Sequence, residues 1–270
     1  MNQEAYYLCY ATANESKMWS DFRNMLMISH HAPGVNKIKL FLAISEVNKN
    51  TKSEQLFEKW VRKLFRDHPF IELVRILRKD NKGRDFSSYE ELHKAVSNHA
   101  TDNDYLFFLN RSAYGPFYKN WYSAYIDQYT KYPDVGLCGA TINLMTHKSQ
   151  GAVFSPHVQT YAFLTQMKKF DFLLENFPGT ECTDRIELIV NGEVKLSRKI
   201  LERNMALTCM ENSEWRIDAN TVFEAPEKDP KEWVQQKHHF YHRKYLRRHW
   251  SSWLSIRRKL VLLGIVRTIV

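Results

Sequence analysis

Four cysteines are scattered over 270 residues, at Cys9, Cys138, Cys182 and Cys209, with no CxxC pair among them. That spacing offers neither a zinc ribbon nor a disulfide framework, and reduced thiols in a cytoplasmic compartment are expected. Long apolar runs are missing too. The longest toward the end, 260–266, falls short of the roughly 20 residues a spanning helix needs. The opening MNQEAYYLCYAT has no basic segment ahead of an apolar core, so no signal peptide is expected. A soluble or surface-lying protein is the expectation. No GxSxG, Walker loop or GxGxxG occurs, which argues against α/β-hydrolase, P-loop and dinucleotide-binding readings. Acidic residues are absent from 237–270, where nine Lys or Arg stand. The net charge is +9, so the remaining 30 basic residues balance 30 acidic ones. A nucleic-acid binder is expected to spread basic charge over its folded body as well, and no nucleic-acid partner is expected here.

The chain is 44% hydrophobic and long enough to bury a core without disulfides or metals. Residues 6–11, 39–44 (KLFLAI), 70–77 and 104–109 read as short buried strands. Between them, 20–28, 53–65 and 87–97 have helical spacing. Ser53 is the expected N-cap of the second helix, with Leu56, Trp60 and Leu64 on its apolar face, and SSYEEL opens the third. This alternation predicts a mostly parallel α/β sheet. Ligands then bind beyond the carboxyl ends of the strands, a rim containing Thr12, 81–85 and 110–112. Later segments read as a strand at 136–142, a turn, strand and helix over 155–172, and a strand at 186–190. A turn at Gly192-Glu193 and a helix at 195–203 follow. EAPEKDPK, 224–231, reads as a linker.

Three short stretches have the makings of a site. In NKGRD, Gly83 permits close backbone approach while Arg84 and Asp85 can grip a charged or hydroxyl-rich ligand; a plain turn with a helix cap explains the same residues. In DYLFFLNRSAYGPF, an apolar strand delivers Asn110, Arg111 and Ser112 to the rim. His157 and Gln159 precede an apolar segment, where a surface histidine is the simpler reading. His238 and His242, four apart on an expected helix, lack the Glu of an HExxH site and sit among cations, so no metal is expected there.

NKGRDFSSYEEL, DYLFFLNRSAYGPF, HVQTYAFL and GEVKLSRKIL follow one another in an order that resembles the rhamnan-synthesis F family of bacterial polysaccharide glycosyltransferases. The family's motifs run N-x-G-x-D, LNDS-x-YGP, H-x-Q-S-Y and E-x-x-LS, and the resemblance spans 70–209. It implies a GT-A-like fold, a Rossmann-type mixed sheet, and transfer of a hexosyl or deoxyhexosyl unit from a nucleotide-sugar donor. The expected acceptor is a growing capsule, lipopolysaccharide or similar surface glycan. By this resemblance Asn81, Gly83, Asp85, Asn110 and Ser112 bind the donor, and His157 and Gln159 face the sugar or acceptor; Thr12 and Arg84, on the same rim, are expected to join the donor site. Glu193 matches the family's late glutamate, and as a general base it would suit an inverting transfer. Arg111 stands where the family has Asp, and a hard divalent cation such as Mn or Mg favours carboxylate oxygens. Three readings stay open: Arg111 neutralises the leaving diphosphate itself, the copy has lost activity, or Asp85 or Asp104 binds a metal instead.

The expected division is a glycosyltransferase domain over 1–225 and a linker with a basic helical tail over 226–270. Trp250, Trp253, Leu254, Leu260 and Leu263 among the tail's cations suit an anionic membrane surface, contacted through 237–270. A peripheral position on the inner face of the membrane and a lipid-linked acceptor follow from that reading; the alternative is a helix docked on the body or in a dimer. The alternative function is a non-catalytic sugar-nucleotide- or glycan-binding subunit of a glycan-assembly complex.

Overall fold

A computed structural model describes residues 4–15, 18–49, 51–144, 156–222 and 239–243. The first half alternates as expected: β1 (Tyr6–Ala13), α1 (Trp19–His30), β2 (Ile38–Glu46), α2 (Lys52–Leu64), β3 (Ile71–Asp80), α3 (Arg84–Ser97) and β4 (Tyr105–Asn110). Next come β5 (Ala113–Tyr114), α4 (Trp121–Thr130), β6 (Val135–Gly139), β7 (Ile142–Asn143) and β8 (His157–Val158). The chain continues through β9 (Ala162–Gln166), α5 (Met167–Phe170), α6 (Arg185–Leu188) and a π-helical stretch, Ile189–Val194. It ends in α7 (Lys195–Leu201), β10 (Ala206–Cys209) and β11 (Tyr241–His242).

Among the described residues, seven strands form a sheet in the order β10-β6-β9-β4-β1-β2-β3. β9 runs antiparallel to both neighbours and the other pairings are parallel. The fold is thus the mixed, mostly parallel sheet flanked by helices that the sequence predicts. Tyr7, Cys9 and Ala11 of β1, with Leu106 and Phe108 of β4, face a layer containing Phe86, Tyr89 and Leu92 of α3 and Leu196 and Ile200 of α7. Leu8, Tyr10, Phe107 and Leu109 face the opposite layer of α1, α2 and α4. Strands buried on both faces carry continuous apolar runs rather than an alternating pattern. This explains LFLAI and YLFFL.

Several elements differ from expectation. Thr51, not Ser53, caps α2, its hydroxyl accepting from the Glu54 amide at 3.2 Å. The helix buries Glu54, Phe57 and Val61, leaving Leu56 on the outside. Glu54 is drawn inward because its carboxylate accepts from Asn14 Nδ2 at 2.7 Å and from Arg78 Nε at 3.0 Å. α3 starts at Arg84 rather than at the SSYEEL serines, whose hydroxyls donate back to the carbonyls of Lys82 and Arg84. Residues 186–190 are helical, and Gly192 and Glu193 lie within the π-helical stretch instead of a turn. Gly192 is needed there because a Cβ would overlap the Phe86 ring.

The segment 239–243 belongs to the body. Phe240 is fully buried, its ring 5.4 Å from Phe107, 5.6 Å from Trp121 and 6.1 Å from Tyr125. β11 pairs antiparallel with β5, so His242 lies on a strand and not on the expected helix. The body therefore reclaims chain beyond the expected boundary at 225. The linker at 224–231, His238 and the tail tryptophans lie outside the described residues.

Candidate functional site

A cleft of about 650 Å3 gathers side chains from segments far apart in sequence. Arg84 and Asp85 come from the start of α3, Asn110 and Ser112 from the end of β4, His157 and Gln159 from β8 and its following turn, and Glu193 from the π-helical stretch. These are seven of the residues singled out in the sequence. Asp85 and Asn110 are tied directly, Asn110 Nδ2 donating to Asp85 Oδ2 at 2.9 Å. Asn110 Oδ1 in turn accepts from the Ser112 amide at 2.8 Å. Burial pushes the Asp85 carboxyl up to about 6, against the pull of the Arg111 and Arg84 cations.

Glu193 is held by its own set of contacts. Its Oε1 accepts from the Thr160 hydroxyl at 3.2 Å, and Oε2 stands 3.8 Å from Nε2 of the buried His157. Thr160 is fixed from behind, its carbonyl accepting from the buried Tyr89 hydroxyl at 2.7 Å. Burial raises the Glu193 carboxyl to about 7, with the negative charge of Asp85 adding to the rise and the Thr160 hydroxyl opposing it. Such a group is divided between acid and base forms at neutral pH and can take a proton from a ligand hydroxyl. Gln159 is oriented by Thr141, whose hydroxyl donates to Gln159 Oε1 at 2.8 Å.

The start of α3 is strained in a way that aims side chains at the cleft. Gly83 and Arg84 both adopt left-handed backbone, with φ of 67° and 46°. A non-glycine residue there costs about 1–2 kcal/mol, and such strain collects at functional sites. Gly83 itself is not a lining residue. Its amide donates to the Cys182 carbonyl at 3.2 Å, and a Cβ would overlap the Thr180 carbonyl. The close approach that glycine permits is therefore to the protein's own 179–182 loop. Asn81 closes the same turn, its carbonyl accepting from the Arg84 amide at 3.2 Å.

Thr12 and Arg111 stand behind the rim. Arg111 Nη1 donates to the Ala13 carbonyl at 3.1 Å and to Glu15 Oε1 at 3.0 Å, while Nη2 lies 3.6 Å from Oδ2 of the fully buried Asp21. Thr12 and Tyr10 hydroxyls donate to Asp21 Oδ1 at 2.7 and 3.0 Å. The guanidinium joins the end of β1 to α1 instead of lining the cleft. Asp104 is further away in kind: it immediately precedes β4, at the opposite end from Asn110, and its carboxylate accepts from the Ala5 and Thr101 amides at 2.8 and 2.7 Å. Of the acids considered as metal ligands, Asp85 lines the cleft and Asp104 does not. Among the described residues, no three His, Cys, Asp or Glu are grouped to hold a metal ion.

Arg185, Asn143, Tyr161 and His242 also line the cleft, and none of them was expected there. Tyr161 was within reach, since it closes the HVQTY motif. Arg185 was hidden because its segment reads as the approach to a strand. His242 was considered only as a metal ligand on a helix, and the two-residue β11 that carries it to the cleft is too short to read.

No protein-family model matches the sequence, and no curated protein matches it. Solved structures similar in chain path include mouse xyloside xylosyltransferase 1 in its apo form, at 10% identity over 64% of this chain and 72% of that one, with a TM-score of 0.36. An active-site mutant of LgtC is 11% identical over 98% of this chain and 97% of that one, at a TM-score of 0.49. The galactosyltransferase LgtC in complex with donor and acceptor sugar analogs is 12% identical over the same shares, 98% and 97%, at a TM-score of 0.46.

Proposed function

We propose that the cleft transfers a glycosyl unit from a nucleotide-sugar donor to a hydroxyl of a growing surface polysaccharide, such as capsule or lipopolysaccharide. The observation that supports this best is the pairing in one cleft of Glu193, a carboxyl held near neutrality, with the Asp85–Asn110 tie at the strand ends. Asp85, Asn110 and Ser112 bind the donor, with Arg84 alongside. His157 and Gln159 orient the sugar or the acceptor. Glu193 takes the proton of the acceptor hydroxyl as its oxygen bonds to the anomeric carbon. The bond from that carbon to the diphosphate oxygen breaks, and the nucleoside diphosphate leaves with the electron pair. The transfer inverts the anomeric centre, because the base serves an acceptor attacking opposite the leaving group.

Arg84 and Arg185 give the cleft two cations to meet the diphosphate. Arg111 acts on that half from behind, through Asn110 and Ser112 on either side of it. A divalent cation, when bound, supplies electrostatic neutralisation of a leaving diphosphate. Asn110 and Ser112 offer it neutral oxygens and Asp85 a single carboxyl, a poor set for a hard cation. The steps above are assigned to the side chains alone. Among the described residues no helix is long and apolar enough to cross a membrane; the proposal places the protein on the cytoplasmic face of the membrane, where a lipid-linked acceptor is presented.

A thermal-shift panel of nucleotide sugars, with and without manganese, tests donor binding, since a ligand of the folded state raises Tm by mass action. Release of nucleoside diphosphate in the presence of glycan acceptors tests transfer. No shift with any donor overturns the reading. Binding without transfer shifts it to a non-catalytic subunit of a glycan-assembly complex.

A further inference from the structure

The rotation that draws Glu54 inward turns Leu56, Lys59 and Lys63 of α2 to the outside, with Trp60 half-buried at the edge of the core. Leu56, Lys59, Trp60 and Lys63 share one face at helical spacing, and Leu56 is 62% exposed. Trp19, Phe22, Arg23 and Leu26 form the adjoining face of α1, with Trp19 65% and Leu26 50% exposed. The two faces are continuous through rings: Trp19 and Phe22 centroids lie 5.9 Å apart, Phe22 and Trp60 5.0 Å. Every acid of the two helices is engaged elsewhere. Asp21 is buried beneath Tyr10 and Thr12, Glu54 is buried on Asn14 and Arg78, and Glu58 is held by Arg62 and Arg78. What remains is an aromatic and aliphatic surface set with Arg23, Lys59 and Lys63.

We propose that this α1–α2 face docks on an anionic lipid surface, with Trp19, Leu26 and Leu56 entering the headgroup region and Arg23, Lys59 and Lys63 meeting lipid phosphates. Exposed tryptophan beside long basic side chains suits the boundary between headgroups and acyl chains, where one end of each side chain is apolar and the other wet. The returning chain runs past the first turn of α1. Tyr241 pairs with Tyr114, whose hydroxyl is 3.4 Å from Ser20 Oγ in the first turn of α1, and the Arg243 amide donates to the Ser112 carbonyl at 2.7 Å. The 27 residues that follow Arg243 hold seven Lys or Arg and no acid. A single weak membrane signal binds reversibly, and two acting together hold a protein at the surface. The inference makes no use of the cleft and stands whether or not the cleft transfers sugars.

Co-sedimentation of the full chain with phosphatidylcholine vesicles, with and without phosphatidylglycerol, measures it. Wild type is expected to partition onto the anionic vesicles and not onto the neutral ones. Trp19→Ser/Leu56→Ser changes only exposed positions, so its Tm should match wild type while its partition falls roughly tenfold or more. Lys59→Glu/Lys63→Glu should lose roughly tenfold or more at low salt, and Lys59→Arg/Lys63→Arg should keep wild-type partition. Equal partition of wild type and either loss variant overturns the proposal, as does equal binding to neutral vesicles. Sedimentation velocity covers the remaining occupant: a wild-type dimer that the Trp19→Ser/Leu56→Ser variant abolishes, with lipid partition unchanged, makes the face a contact between copies and overturns the lipid assignment.

Discussion

Burial holds the Glu193 carboxyl at about 7, so the base form is half populated at neutral pH and scarce a unit or two below it. Turnover should therefore rise with pH through about 7 and then level. Glu193→Gln keeps the shape and the contact with Thr160 but removes the proton acceptor; kcat should fall roughly a hundredfold or more, the acid limb should vanish, and donor affinity should stay near wild type. A Gln variant as active as wild type would rule out the base. Asp85→Ala tests the other half of the cleft: calorimetry should show donor binding lost with Tm little changed, and unchanged affinity removes Asp85 from the site. Arg111 behaves differently from both. Arg111→Met leaves Asp21 as an uncompensated buried charge, which costs about 3–5 kcal/mol. Adding Asp21→Asn removes that charge and should recover most of the lost stability in urea unfolding. Much of this was legible at the level of single residues, since NKGRD, NRS, HVQ and the late glutamate all supply side chains to the cleft. The arginine's direction was not, since it was read onto the rim with its neighbours. The strand ends at Asn110, and in the turn that follows Asn110 and Ser112 line the cleft while Arg111 reaches back to Ala13 and Glu15.

Elements were read well where burial on both faces gave long apolar runs, and poorly where a buried polar group set the orientation. Nothing in SEQLFEKW marks Glu54 as the buried residue; Asn14 and Arg78, which draw it in, lie 40 and 24 residues away. The π-helical stretch was unreadable for a related reason: IELIV has the composition of a strand, and Gly192 with Glu193 looks like a turn until Phe86 of α3 is packed against the glycine. α3 also holds a group whose protonation the packing forbids. His93 is fully buried, 5.1 Å from the Phe170 ring and 6.4 Å from Phe177, with Asp171 3.8 Å away at the exposed edge. Burial lowers its pKa to about 4. The native state thus declines a proton that the unfolded chain takes up below its ordinary value of 6.5. This contribution is fully favourable above 6.5 and is lost as pH falls toward 4, amounting to about 3 kcal/mol. The buried carboxyls Asp85 and Glu193 work in the opposite sense, because their raised values make the native state the better proton binder as pH falls. His93→Leu isolates the histidine: its urea midpoint, relative to wild type, should rise on going from pH 7 to pH 4.5, and a constant difference would show that His93 does not titrate on unfolding.

At the scale of the whole molecule, the sheet and its helical layers follow from the sequence, while the antiparallel direction of β9 and the returning β11 do not: a hydrophobic run marks a strand but not its direction, and β11 is only two residues long. The return of the chain changes what a truncation should do. From sequence, removing everything after Lys231 should leave a complete body. In the structure it removes Phe240 from a pocket formed by Phe107, Trp121 and Tyr125, strips β5 of its partner strand, and takes His242 from the cleft. Emptying a buried phenylalanine site costs about 3–5 kcal/mol, a large share of the stability of a domain this size. Truncation after Arg243 keeps all three features and should unfold at the wild-type urea midpoint. Truncation after Lys231 should fall well below it, and Phe240→Ala in the full chain should account for most of the fall. Donor binding separates packing from site chemistry: His242→Ala keeps Phe240 in place, so a loss of donor affinity in that variant at unchanged stability assigns His242 to the cleft. If truncation after Lys231 leaves the midpoint unmoved, the segment is an ornament of the body and β11 has no part in holding the site together.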